Sequence, residues 1–253
     1  MYAEERQRLI LERARREGRV DVATLAAEYD VTYETIRRDL TALERHGILR
    51  RVHGGAIPVE RLGFEPTLTQ RDTVMTKEKE RIARAALAEL PTEGAILLDA
   101  GSTTGRLAEQ IPADRELTVV TNSAPIALTL LPRANINLML LGGRLRTRTQ
   151  ATVDAWALQA LEETYVDVAF IATNGVSAER GLTTPDPSEA QVKRAMIRAA
   201  RRAVLLADHT KVGNDHFARF ASVEEVDCVI TDTGLVDGLA QELAALGPRV
   251  TTV

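Results

Sequence analysis

The chain has 253 residues, 45% of them hydrophobic and 27% charged, with a formal net charge of −4. This is the composition of an ordinary globular protein of one or two domains, which excludes fibrous and disordered chains. No apolar run approaches the roughly 18 residues that cross a bilayer, and residues 1–8 lack the apolar core of a signal peptide, so a cytoplasmic protein without membrane partners is expected. One cysteine, Cys228, excludes an intrachain disulfide, and with four scattered histidines it leaves no cluster at zinc-ligand spacing. No metal and no cofactor are expected. Charge is unevenly spread: residues 1–61 carry net +1 and residues 62–253 net −5.

In chain order, a first helix is predicted over residues 4–17, stopped by Gly18. Asp21 caps a second, short helix with the apolar stripe Val22, Leu25, Ala26 and Tyr29. Asp30 forms the corner, an Asp being tolerated in the left-handed region. Thr32 caps a third helix over residues 33–46, with inward Ile36, Leu40 and Leu43 and with Glu34, Arg37, Arg38 and Thr41 on the other face. Residues 48–52 read as a strand and His53-Gly54-Gly55 as a tight turn. Helix, short helix, corner, longer helix and hairpin make a winged helix-turn-helix.

The helix after the corner meets the major groove in such motifs, so Thr32, Tyr33, Thr35, Arg37 and Arg38 are candidate DNA contacts. Residues 45–59 hold Arg45, Arg50, Arg51, His46 and His53 and no acid. A wing of that character suits a phosphate backbone, adding Arg45, Arg50, Arg51 and His53 to the candidates. The bland alternative is a solvated face on an interaction module, the arginines paired with Glu34, Asp39 and Glu44. The whole constellation within about 35 residues favours DNA.

Residues 58–75, with Pro58, Gly63 and Pro66 and no periodicity, read as a linker between a DNA-binding domain at 1–57 and a second domain at 76–253. In the second domain, apolar runs at 95–99, 117–121, 136–141, 168–173, 203–207, 226–231 and 249–252 read as strands buried on both faces. Helices are predicted near 105–110, 125–131, 155–163, 188–200 and 236–246. The alternation predicts an α/β, Rossmann-like, mostly parallel sheet.

Ligands bind such sheets beyond the carboxyl ends of the strands. There lie Asp99 and the turn Gly101, Ser102, Thr103 and Thr104, a natural anion cradle at a helix N-terminus. A Ser/Thr/Gly turn of this kind also serves simply as a helix cap. Thr121 and Asn122, then Gly142, Gly143 and Arg144, then Gly175, then Asp208 and Lys211 join the cradle at the same rim. Asp99 and Asp208 are expected to accept hydrogen bonds from sugar hydroxyls while Ser102 to Thr104, Arg144 and Lys211 hold an anion. The inferred ligand is a small phosphorylated sugar or polyol. Of 32 basic residues only four are Lys, and a rare Lys marks a place for a compact point charge. Lys211 fits that role. Lys193 follows Glu189 by four residues, so it is either a ligand contact or half of a surface pair worth about 0.3–0.5 kcal/mol. Lys77 and Lys79 are expected in solvent.

Residues 20–56, with the core Thr35-Ile36-Arg37-Arg38-Asp39-Leu40 and the wing Arg50-Arg51-Val52-His53-Gly54-Gly55-Ala56, resemble the DNA-binding signature of the DeoR/GlpR family of sugar-metabolism regulators. The resemblance extends to about Asp232. It implies that the third helix is the recognition helix and that the second domain is an effector sensor related in fold to ribose-5-phosphate isomerase. Asp99, Gly101 to Thr104, Thr121-Asn122, Gly142-Gly143, Gly175, Gly181 to Thr183, Glu189, Lys193, Asp208 and Lys211 match its sensor motifs. Asp154 departs from them, standing where the pattern has Gly. Residues 1–7 and 207–211 look most like fructose-type regulators, implying fructose 1-phosphate as effector.

The function expected is a transcriptional repressor of sugar catabolism, acting as a homodimer or homotetramer on double-stranded operator DNA and released by the sugar phosphate. The alternative is a sugar-phosphate isomerase-like enzyme with an accessory DNA-binding domain, since Asp99, Asp208, Glu189 and Lys211 could supply acid–base chemistry. Fold alone does not give that function.

Overall fold

A computed structural model describes residues 2–17, 19–52, 54–58, 65–235 and 238–253, apart from the side chains of Arg15, Arg50, Val52 and Ile57. The chain divides into two compact units, Met1–Val74 and Met75–Val253.

In the first unit, α1 (Ala3–Glu17), β1 (Val20–Asp21), α2 (Val22–Tyr29), α3 (Tyr33–Arg45), β2 (Leu49–Val52) and β3 (Gly55–Pro58) form a winged helix-turn-helix. Gly18, read as the stop of the first helix, lies outside the described residues. Asp21 accepts from the Ala23 and Thr24 N–H groups and so caps α2. The corner is tight because Asp30 adopts φ 51°, ψ 53°, the left-handed conformation expected of it. Ile10 and Ala14 of α1, Leu25 of α2, Ile36, Leu40 and Leu43 of α3 and Leu49 of β2 make one core. The hairpin expected from sequence is a three-stranded sheet in the order β1-β3-β2. Val20 pairs with Ala56 and Asp21 with Gly55, and two residues are too few to register as a sequence period. Within the stretch read as a linker, Leu68–Asp72 forms a short helix, α4, closed by a Thr67/Gln70 capping box.

The second unit begins with α5 (Thr76–Ala86). It continues with β4 (Glu93–Leu98), α6 (Ser102–Gln110), β5 (Glu116–Thr121), α7 (Ala124–Leu130), β6 (Ile136–Leu140), β7 (Arg144–Arg146), β8 (Ala151–Val153) and α8 (Ala155–Glu162). There follow β9 (Val166–Ala172), β10 (Gly175–Ser177), β11 (Gly181–Thr184), α9 (Pro187–Arg198), β12 (Ala200–Leu206), β13 (Ala218–Ala221), β14 (Cys228–Thr231), α10 (Leu239–Ala245) and β15 (Arg249–Thr252). All seven apolar runs read as strands lie in one parallel sheet, ordered β15-β14-β12-β9-β4-β5-β6.

Helices cover both faces, as parallel strands require. Ile82 of α5, Leu107 of α6 and Ile126 and Leu130 of α7 pack on one face. On the other pack Ala157 and Leu161 of α8, Val192 and Met196 of α9 and Leu243 of α10. The β7–β8 hairpin and the small sheet β10-β11-β13 were not anticipated from sequence. Their strands are three or four residues long, below the span over which alternation is readable.

From β4 the chain builds outward through β5 and β6, then returns to lay β9 on the other flank of β4. That reversal between β4 and β9 is the topological switch point, where a crevice opens beyond the carboxyl ends of the strands.

Candidate functional site

On α3, Tyr33, Glu34, Arg37 and Arg38 are exposed and Thr35 partly so, while Ile36, Asp39, Leu40 and Leu43 are buried. Thr32 does not stand free: its hydroxyl accepts from the Thr35 N–H at 3.2 Å and lies 2.9 Å from the Thr35 hydroxyl, capping the helix. Asp39 is not a surface partner of the arginines. It is buried against Arg6 at 2.5 Å and accepts from Gln7 at 3.0 Å, tying α1 to α3. Arg37 reaches Glu34 only at 3.9 Å, and Arg38 and Arg45 are exposed with no ion pair among the described residues. Arg51 is exposed on the wing; its N–H donates to Glu44 at 2.9 Å and its guanidinium to the Thr41 hydroxyl at 3.3 Å. His53 lies outside the described residues, as does the side chain of Arg50.

At the switch point of the second unit, the buried Asp99 carboxylate is bound by the Lys193 ammonium from α9 and accepts from the Ala172 N–H at 2.9 Å. Lys193 also donates to the Ala172 carbonyl at 3.0 Å and sits 5.7 Å from the centre of the Phe220 ring. Burial pushes the Asp99 carboxyl up, against the pull of Lys193 and the Ala172 N–H. The surface pair between Lys193 and Glu189 is therefore overturned. Lys193 is 4% exposed and turns to Asp99, a partner 94 residues away that helical spacing could not reveal.

Glu189, also buried, takes hydrogen bonds from Arg146 at 2.5 Å and from the Thr149 hydroxyl, and Arg146 reaches Asp186 at 3.2 Å as well. Burial opposes ionisation of Glu189, but Lys193, Thr149 and Arg146 together hold its carboxyl below the usual range. Arg146 and Thr149 border the β7–β8 hairpin. Sequence reading missed them because Arg146 is one of 28 arginines and its partner lies 43 residues on.

The cradle is a true helix start. Gly105 N–H donates to the Gly101 carbonyl at 2.9 Å, so α6 begins at Ser102, three residues before the sequence expectation. No side chain among the described residues caps it. Thr103 and Thr104 are buried, Thr104 donating to the Gly101 carbonyl at 3.1 Å, and Ser102 is half-exposed. At 101 a Cβ would lie 2.8 Å from that of Ala172, so only glycine lets the loop lie against the end of β9.

Thr121 and Asn122 are buried braces. The Thr121 hydroxyl donates to the Leu98 carbonyl at 2.7 Å; Asn122 accepts from the Ala100 N–H at 2.9 Å and donates to the Thr152 carbonyl at 3.2 Å. Gly142 has open space around it, while Gly143, at φ 131°, leaves no room for a side chain beneath the Val153 carbonyl. Gly175 opens β10, its carbonyl taking the Thr173 hydroxyl at 2.7 Å. Arg144 is exposed but paired with Asp154 at 2.6 Å. Asp154 itself adopts φ 75°, ψ −167°, a region that is essentially glycine's.

Asp208, buried at the end of β12, accepts from the N–H of Thr210 at 3.1 Å and from its hydroxyl. Burial opposes its ionisation, yet Lys211, the Thr210 hydroxyl and Lys79 keep it below the ordinary Asp range. Lys79, expected in solvent, is 3% exposed, which α5 imposes by packing its inward face on the sheet. Lys211 is half-buried. His209, read from sequence as one of the rim residues 208–211, has Nδ1 2.7 Å from Asp232, whose other oxygen accepts from the His209 N–H at 2.8 Å.

The sequence matches the DeoR-like helix-turn-helix domain over residues 6–61 and the DeoR C terminal sensor domain over residues 74–233. It is 38% identical to the HTH-type transcriptional regulator GlpR of Haloferax volcanii, over 99% of this chain and 98% of that protein. It is 35% identical to an uncharacterized HTH-type transcriptional regulator, FruR, of Bacillus subtilis, over 92% of each. Among solved structures, ribose 5-phosphate isomerase A of Methanocaldococcus jannaschii aligns over 55% of each chain at 18% identity and a TM-score of 0.40. With an exposed recognition helix in one unit, a helix-covered parallel sheet in the other and both family matches spanning them, the chain belongs to the DeoR family of DNA-binding transcriptional regulators.

Proposed function

We propose that the protein is a repressor of sugar-catabolism genes that binds operator DNA as a symmetric oligomer and leaves it on taking up a phosphorylated sugar or polyol, with fructose 1-phosphate the first compound to test. The observation that supports the sensor half is the helix start of α6, uncapped by any side chain among the described residues and bearing Ser102 to Thr104, next to a switch point where Asp99 and Lys193 satisfy each other. First-turn N–H groups and the Ser102 hydroxyl suit a phosphate. Lys211 adds a point charge. Glu189 and Asp208 retain acceptor capacity for sugar hydroxyls. Asp99 and Lys193 act as the rigid floor, and Arg144, neutralised by Asp154, contributes less than its position suggests. On the DNA side, Tyr33, Thr35, Arg37 and Arg38 are assigned to the groove and Arg45, Arg50, Arg51 and His53 to the phosphates, with Thr32 holding the helix start.

One such domain makes few contacts, so half-site recognition calls for at least two copies. The effector weakens operator binding by its differential affinity for the two arrangements and by no more. A thermal-shift panel of sugar and polyol phosphates tests the sensor, because a binder raises stability with the logarithm of its concentration over Kd. Lys211→Ala is expected to keep operator binding and lose release. Turnover of a sugar phosphate to its isomer at catalytic rates would falsify the reading.

A further inference from the structure

We infer that the β6 edge of the sheet, with the adjoining outer face of α7, is where a second copy of this chain docks, its β6 pairing antiparallel to this one across a two-fold axis. Among the described residues β6 pairs on one side only, with β5, so along its outer side it carries backbone N–H and C=O groups unpaired by any of them.

Its sequence, Ile-Asn-Leu-Met-Leu, holds neither charge nor proline, two of the devices that blunt an edge. The opposite edge of the same sheet carries a charge and is entered from a proline. β15 follows Pro248 and carries Arg249, which is paired with Glu89. One edge is thus protected against further strands and the other is left competent.

Side chains repeat the contrast. Ile136 and Leu138 turn toward the core shared with α7, so Leu140 lies on that face and Met139 on the other. Met139 is 53% and Leu140 51% exposed, and beside them α7 presents Leu128, 71% exposed, and its C-cap Leu131, 70% exposed. An apolar surface on both faces of an unpaired strand is poorly suited to water.

A second copy is the occupant that the charge pattern fits. Residues 124–141 contain a single ionisable side chain, Arg133, in a chain that is 27% charged. Its guanidinium is spent on the carbonyls of Ala108, at 3.4 Å, and Ile111, at 2.5 Å. In an isologous interface each patch meets itself, so any fixed charge would meet its like; this patch brings none. Docking of this kind would join two seven-stranded sheets into one of fourteen. The choice of a second copy also rests on the proposed two-fold operator complex, but the mass measurement below needs neither operator nor effector and so can fail independently of it.

The test is sedimentation of the full-length protein at micromolar concentration. The expected mass is twice 27.7 kDa for the parent chain. Met139→Lys should sediment as a monomer, while Thr251→Lys on the opposite edge should leave the dimer intact. Operator affinity of Met139→Lys should fall about tenfold or more, about 1.4 kcal/mol, with the sugar-phosphate thermal shift retained. A parent chain that is monomeric at operator-binding concentrations, or a folded Met139→Lys of unchanged mass, overturns the inference. Should Met139→Lys fail to fold, Met139→Cys decides: Cys228 is buried, so residue 139 supplies the reactive thiol. Capture of a covalent dimer by a short bismaleimide supports the interface, and failure to capture one overturns it.

Discussion

The cations of α3 and those at the switch point of the sheet are put to opposite uses. Arg37, Arg38 and Arg45 stand in water at or near a helix surface, loosely paired or without an ion pair among the described residues. Lys193 is buried and Arg146 largely enclosed, and they are locked to Asp99 and Glu189. Exposed cations cost little to keep and are available to a polyanion that displaces counterions. Buried cations cannot be released without leaving a carboxylate stranded, so they fix geometry rather than bind by their own charge. Charge alone therefore does not identify a ligand contact; exposure and prior commitment do.

The largest break in that comparison is Lys193→Met. It strands Asp99 in the core, and an expected loss of about 3–5 kcal/mol would be read from urea unfolding of the sensor unit. The double variant with Asp99→Leu should recover most of it, because removing both charges removes the desolvation cost. Next, Arg38→Ala should weaken operator binding by about 1–3 kcal/mol if it reads a base, or flatten the salt dependence by about one contact if it meets a phosphate. Unfolding stability should stay within about 0.5 kcal/mol of the parent. An Arg38→Ala protein that bound operator normally would place the exposed cations among idle surface charge.

A smaller effect, opposite in sign, is expected at Asp154→Gly. Relief of a glycine-type backbone conformation outweighs the exposed Arg144 pair and the entropy of Gly, a gain of about 1 kcal/mol in thermal unfolding. Freed of Asp154, Arg144 should also tighten phosphate binding in titration calorimetry.

The last test is pH. Glu189 and Asp208 are held below their ordinary values, so their stabilisation is complete above the unfolded pKa, near 4, and is lost as pH falls through the lower folded values. Asp99, pushed up, works in the opposite sense: its burial costs stability as pH rises above the unfolded value. Glu189→Gln should flatten the acid limb of the stability curve, whereas Arg38→Ala should leave it unchanged.

Much of this molecule was legible because its signals are local. Leu25, Ile36 and Leu40 recur at helical spacing; Asp21 and Thr32 sit where caps belong; Asp30 takes the left-handed corner. The seven core strands were readable as apolar runs because burial on both faces leaves no alternation to confuse with a surface strand. The rim was legible as a set of residues but not as a set of roles. Thr121 and Asn122 look like ligand groups in sequence, and only their partners Leu98 and Thr152 show them to be braces. Arg146 and Asp232 gave no signal, since an ion pair across 43 residues or a carboxylate 23 residues from its histidine has no period.

By itself, then, the sequence determined the winged helix-turn-helix, the parallel α/β domain and the family, because caps, turns and hydrophobic periods act between residues a few positions apart. Tertiary structure alone decided which charges are free and which are bound. That Lys193 belongs to Asp99, that Lys79 is buried and that one sheet edge is guarded while the other is open depend on the strand order β9-β4-β5-β6, which brings distant residues together by long-range packing.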